Sequence, residues 1–140
     1  MRLKILAITA TILLTACLPA QKINYIKINN HEVNVELAVT SEKQIKGLSQ
    51  SDILPENSGM LFIYQRYEVQ NFWMKDMKFP IDIIWIKDDR IIDLTKNIPV
   101  PTSTNLLIYK PKFPVNYVLE VNAGWTDKNN IQVGDQVTFH

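Results

Sequence analysis

The segment Pro80-Ile81-Asp82-Ile83-Ile84-Trp85-Ile86-Lys87-Asp88-Asp89-Arg90-Ile91-Ile92-Asp93-Leu94 reads as a β-hairpin. Two short runs rich in β-branched residues flank a charged tetrapeptide. This pattern predicts strands over Ile81–Ile86 and Ile91–Leu94, joined by a tight hairpin at Lys87-Asp88-Asp89-Arg90. In Ile81–Ile86 both alternating faces are largely apolar, so that strand is expected to be covered on both sides. Asp82 breaks the run, and a charge placed there needs hydrogen-bond partners.

Working outward, the same strand-like texture recurs. Ile23–Ile28 and Val33–Val39 are β-rich, with a turn signal at Asn29-Asn30 between them. Val33, Val35, Leu37 and Val39 alternate with Asn34, Glu36 and Ala38, the pattern of a half-buried strand. Ser41 and Gln44 have capping-box spacing and Gly47 suits a helix end, which predicts a short helix over Glu42–Lys46. Ser49–Gly59 reads as loop. Met60–Tyr64, Val69–Met74, Asn116–Val121 and Val137–Phe139 are further strand candidates. Ala123–Asn130 reads as a turn or one helical turn, and Gly134-Asp135 as a tight turn. Asn97–Val115 contains Pro99, Pro101, Pro111 and Pro114 and predicts a long loop, a kind of segment that is often functional. Together these elements predict an α+β, mostly-β fold: a small β-barrel-like single domain with one or two short helices.

The N-terminal segment has a different character. Arg2 and Lys4 precede Ile5–Leu14, an apolar run broken only by small Ala and Thr residues, which is a secretory signal pattern. The run is shorter than the roughly 20 apolar residues of a membrane span. Leu14-Thr15-Ala16-Cys17 resembles the bacterial lipobox, in which a diacylglycerol is attached to the Cys before cleavage in front of it. Residues 1–16 are therefore expected to be a lipoprotein signal peptide, residues 17–22 a lipidated Cys and tether, and residues 23–140 the domain. Cys17 is the single cysteine, so no intramolecular disulfide can form. Leu18 follows it, where inner-membrane lipoproteins of Gram-negative cells commonly carry Asp. The resemblance thus implies export and anchoring by fatty-acyl chains, at the outer membrane facing the periplasm if the envelope is Gram-negative. Anchoring follows from burying CH₂ groups at about 0.8 kcal/mol each.

Composition excludes other classes. The formal net charge is +1 and no basic cluster occurs, which argues against nucleic acid as a partner. Hydrophobic residues make up 46% of the chain, as in a folded domain. His31 and His140 are the only histidines, which argues against Ser-His-Asp or Cys-His catalysis and against a multi-His zinc site. There is no glycine-rich phosphate loop.

Six segments occur in order: Gly47-Leu48, Gly59-Met60-Leu61-Phe62, Phe72-Trp73-Met74-Lys75-Asp76, Pro80-Ile81-Asp82-Ile83-Ile84, Val118-Leu119-Glu120-Val121-Asn122-Ala123-Gly124-Trp125 and Gly134-Asp135. The set resembles domain of unknown function family number 192, an uncharacterised ancient conserved region of small, mostly-β domains, over roughly Val33–Phe139. The chain departs from the family pattern at Ser49, where Met usually follows Gly-Leu, and at Asp76, where Asn is common. The resemblance implies a fold and no reaction.

The candidate binding residues are Trp73, Lys75, Asp76, Asp82, Glu120 and Trp125. The Trp73–Asp82 segment is expected to form one wall of a cleft, with the Asn97–Val115 loop over it, because charged residues crowd otherwise apolar sequence there. The favoured reading is non-enzymatic binding of a small molecule, a glycan or an envelope protein, with the membrane engaged through the lipid and no cofactor, metal or catalytic residue assigned. Trp73 and Trp125, with Tyr109, Phe113 and Tyr117, offer an aromatic platform. A first alternative is a carboxylate-dependent hydrolase using Asp76, Asp82 or Glu120. A second is copper binding by Met60, Met74, Met77 and Trp73, since thioethers are soft ligands.

Overall fold

All six residues from Ile81 to Ile86 are buried, as their two apolar faces predict. A computed structural model of the chain describes residues 23–102 and 106–140. The signal peptide, Cys17 and the tether expected from the sequence lie outside these residues. The elements are β1 (Tyr25–Ile28), β2 (His31–Ala38), α1 (Ser41–Lys46), β3 (Ser58–Glu68), β4 (Ile81–Lys87), β5 (Arg90–Ile98), β6 (Val115–Asn122), α2 (Trp125–Lys128) and β7 (Val137–Phe139).

The seven strands form one sheet in the order β5-β4-β6-β3-β2-β1-β7. β2 and β3 are parallel and are joined through α1, and the other pairings are antiparallel. The sheet curls into a half-barrel. Its two edges meet at one end, where Arg90 bridges Gln136 and the Ile91 N–H donates to the Asp135 carbonyl at 3.0 Å. The fold is thus the mostly-β, barrel-like single domain with two short helices that the sequence predicts.

Side-chain alternation divides the core in two. Ile84 and Ile86 of β4 and Leu119 and Val121 of β6 pack with Ile26 and Val137 from the far end of the sheet. That cluster fills the concave side. Met60 and Phe62 of β3, Ile83 and Trp85 of β4 and Val118 of β6 point the other way. Leu48, Phe72, Met74 and Met77 cover this convex side. A sheet covered on both faces explains why β4 carries little polar alternation.

Three local expectations change. Thr40, not Ser41, caps α1: its hydroxyl accepts from the Lys43 N–H at 3.3 Å. Gln44 does not close a capping box but donates to the carbonyls of Ala38 (3.2 Å) and Ile63 (2.9 Å), tying the helix to the sheet. Val69–Met74 is not a strand. Only Phe72 pairs, through a bridge to Tyr109, and the alternation arises because Phe72 and Met74 turn inward while Trp73 faces solvent. The loop expected from Asn97 starts later, because β5 runs to Ile98.

Candidate functional site

Glu120 lies in the middle of β6, opposite Met60 of β3 and Ile83 of β4. Strand parity sends its side chain to the convex face, beneath α1 rather than into solvent. It is 5% exposed, and its Oε2 has no hydrogen-bond partner among the described residues. Burial pushes its carboxyl up to about 8, so the group is mainly neutral near pH 7. An unpartnered buried oxygen is costly in a finished core and is tolerable where a ligand or water reaches it.

Such an opening exists. A cleft of about 360 Å³ lies over Glu120. Its floor is Phe62, Tyr64 and Glu120 from the sheet. One wall is α1 and its end, with Gln44, Ile45, Lys46 and Gly47. The opposite wall is the segment between β3 and β4, with Phe72, Trp73, Lys75 and Met77, and Ile108 adds an edge. Phe62 and Phe72 meet edge to face at 4.8 Å, and Phe72 meets Trp85 likewise at 5.4 Å, which fixes the aromatic floor. Burial and the neighbouring Glu120 carboxyl raise the Tyr64 hydroxyl, which stays protonated.

Backbone geometry keeps the cleft open. Gly47 ends α1 at φ +52°, and its N–H donates to the Lys43 carbonyl at 2.8 Å. A Cβ at Gly47 would stand 3.4 Å from Phe62 Cζ and 3.8 Å from Glu120 Oε2. At Gly59 a Cβ would come within 2.6 Å of the Glu120 carbonyl oxygen, so glycine there lets β3 lie close against β6.

Three of the sequence-derived candidates meet here: Trp73, Lys75 and Glu120 all line the cleft. The other three do not. Asp82 pairs with Val121 and projects to the concave face, away from Glu120. It is fully buried and accepts from the N–H groups of Asn97 (2.7 Å), Gly124 (3.2 Å) and Thr126 (3.0 Å) and from the Thr126 hydroxyl (2.6 Å). These bonds anchor the end of β5 and the start of α2, and they leave Asp82 a structural carboxylate. Trp125 packs in the concave core, its Nε1 donating to Asn57 Oδ1 at 3.1 Å. Asp76 is exposed at φ +56°, a left-handed position that suits Asp or Asn, and its carbonyl accepts from the Gln50 N–H. Of Met60, Met74 and Met77, only Met77 lines the cleft, so the thioethers do not gather there. No group of three or more His, Cys, Asp or Glu side chains arranged to hold a metal occurs among the described residues.

The helix wall, Phe62 and Tyr64 are missing from the sequence-derived candidates. Their signal is parity: Phe62 and Tyr64 alternate with Leu61 and Ile63, and they share a face with Glu120 once β3 pairs with β6.

A family model for domain of unknown function 192, "Uncharacterized ACR", matches residues 24–139. The chain belongs to the domain of unknown function 192 family. Among solved structures, it is similar to a protein of unknown function from Novosphingobium aromaticivorans DSM 12444. The two share 31% identity and a TM-score of 0.73, over 83% of this chain and 84% of that one. It is also similar to a proposed transcription regulator from Sinorhizobium meliloti 1021, at 28% identity and a TM-score of 0.72, over 85% of this chain and 98% of that one. No curated protein matches. In this family member, four of the segments that carry the family resemblance reach the cleft, through Gly47 and Leu48, through Phe62, through Phe72, Trp73 and Lys75, and through Glu120.

Proposed function

We propose that this protein binds a small amphipathic molecule in the cleft above Glu120, acting as a non-enzymatic binding protein of the cell envelope, exported and held at a membrane by lipid on Cys17. The observation that carries the binding reading is the unpartnered Oε2 of Glu120 beneath an aromatic-walled cleft. Ligand sites combine an apolar lining with a few placed polar groups, and this one offers Phe62, Phe72 and Trp73 around a neutral carboxyl. A polar group on the ligand would complete the hydrogen bonding of Glu120 while the apolar body covers the rings. Hydrolysis by paired carboxylates fits less well, because Glu120 is the only carboxylate lining the cleft among the described residues.

The test is a titration of the purified full-length protein with N-phenyl-1-naphthylamine, which fluoresces on entering apolar surroundings. Saturable enhancement is expected for the wild type. Replacing the exposed wall residues together, Trp73→Ser with Ile45→Ser, should weaken it about thirtyfold, since each removes roughly 1 kcal/mol of apolar contact. An unchanged titration curve would contradict the reading.

A further inference from the structure

The charged groups around the cleft divide by depth, and this points to the class of ligand. Four titratable residues line it: Tyr64 from β3, Glu120 from β6, Lys46 from α1 and Lys75 from the segment between β3 and β4. Glu120 and Tyr64 lie on the floor, whereas Lys46 and Lys75 are exposed and stand at the mouth, one on each wall. Six lysines elsewhere pair with carboxylates, namely Lys27, Lys43, Lys78, Lys96, Lys112 and Lys128. Neither Lys46 nor Lys75 has such a partner among the described residues. Burial raises the Glu120 carboxyl, which keeps the floor uncharged near pH 7. Two lysines without a carboxylate partner therefore line an apolar opening whose floor is an uncharged carboxyl.

We propose that the cleft selects an anionic amphiphile, its negative group between Lys46 and Lys75 at the mouth and its apolar body against Phe62, Phe72 and Trp73 above Glu120. This inference rests on the binding function proposed above. A cationic ligand would meet two lysines on entry. An anionic one is drawn in by them and meets no negative charge at the floor while Glu120 keeps its proton. Ionising Glu120 places a charge of the wrong sign under the ligand, so affinity for an anion falls as pH rises past the range where the carboxyl is neutral.

A matched pair of probes separates charge selection at the mouth from apolar binding in the cleft. 1-Anilinonaphthalene-8-sulfonate carries a negative group, and N-phenyl-1-naphthylamine has nearly the same apolar body without it. Both are titrated into the full-length protein, its Lys46→Gln/Lys75→Gln variant and its Glu120→Gln variant. The double lysine variant should bind the sulfonate about fivefold more weakly and the neutral probe as before. Sulfonate affinity of the wild type should fall between pH 7 and pH 9, and that of Glu120→Gln should stay level. If the lysine variant binds both probes like the wild type, or weakens both equally, charge selection is overturned while the cleft remains a binding site. If neither probe binds saturably to the wild type, the underlying binding function fails.

Discussion

Gly47 stands directly against Glu120: a Cβ on Gly47 would lie 3.8 Å from Glu120 Oε2. The residue that ends α1 therefore also keeps space over the buried carboxyl. Residues separated by most of the domain in sequence define one small volume, and both belong to segments through which the chain resembles its family.

The buried carboxyl makes stability depend on pH. Glu120 titrates near 4.5 when exposed and about 8 in the fold, so the folded protein binds more protons than the unfolded chain between these values. The contribution of Glu120 is full below pH 4.5, declines as pH rises, and levels off above about 8. The loss is at most on the order of 5 kcal/mol. Urea unfolding at pH 5 and pH 8 should show a smaller loss for Glu120→Gln than for the wild type. Equal losses in the two proteins would mean that Glu120 is ionised in the fold.

Asp82 should behave as a keystone of the fold. Asp82→Ala leaves the N–H groups of Asn97, Gly124 and Thr126 and the Thr126 hydroxyl without their acceptor; the two Thr126 groups are buried, at about 1–3 kcal/mol each, and the other two bonds are partly buried. A loss of at least 3 kcal/mol is expected in denaturant unfolding. Probe binding by the molecules that remain folded should match the wild type, because Asp82 lies on the other face of the sheet. A stable variant that no longer binds the probe would contradict this assignment.

Asp76 holds a left-handed backbone conformation at φ +56°. Asp76→Asn should change stability by less than about 0.5 kcal/mol, whereas Asp76→Val should cost about 1–2 kcal/mol. Thermal unfolding of the two variants distinguishes this from a side-chain role, in which Asn would be the damaging replacement and probe binding would fall with it.

Much of the fold is legible in the sequence. The Ile81–Leu94 hairpin, the Asn29-Asn30 turn, the helix ending at Gly47 and the final strand follow from local residue chemistry and stand where they are expected. The site is legible only in part, and the reason is long range. Asp82 and Glu120 are both acidic residues inside apolar strands, and local reading treats them alike. The pairing of Ile83 with Glu120 and of Asp82 with Val121 sends them to opposite faces, and no local pattern contains that register. Likewise, Trp73 and Trp125 each sit in a family-like segment, yet one is half exposed at the cleft and the other fills the concave core. Val69–Met74 alternates like a strand because it packs one side against the sheet, without a ladder of its own.

The proposed anchor has its own test. Cells fed labelled palmitate should incorporate label into the wild-type protein and not into Cys17→Ser, and the variant should leave the membrane fraction. Equal labelling of the two would contradict lipidation at Cys17.

If the volume over Glu120 is where this protein meets its ligand, amide chemical-shift mapping by NMR will locate the ligand there. On titration of the ¹⁵N-labelled protein with 1-anilinonaphthalene-8-sulfonate, the largest shifts should fall on Gly47, Leu48, Phe72, Trp73 and Glu120, while Asp82 and Trp125 stay still. Shifts gathered around Asp82 and Trp125, with Gly47 and Glu120 unmoved, would contradict it.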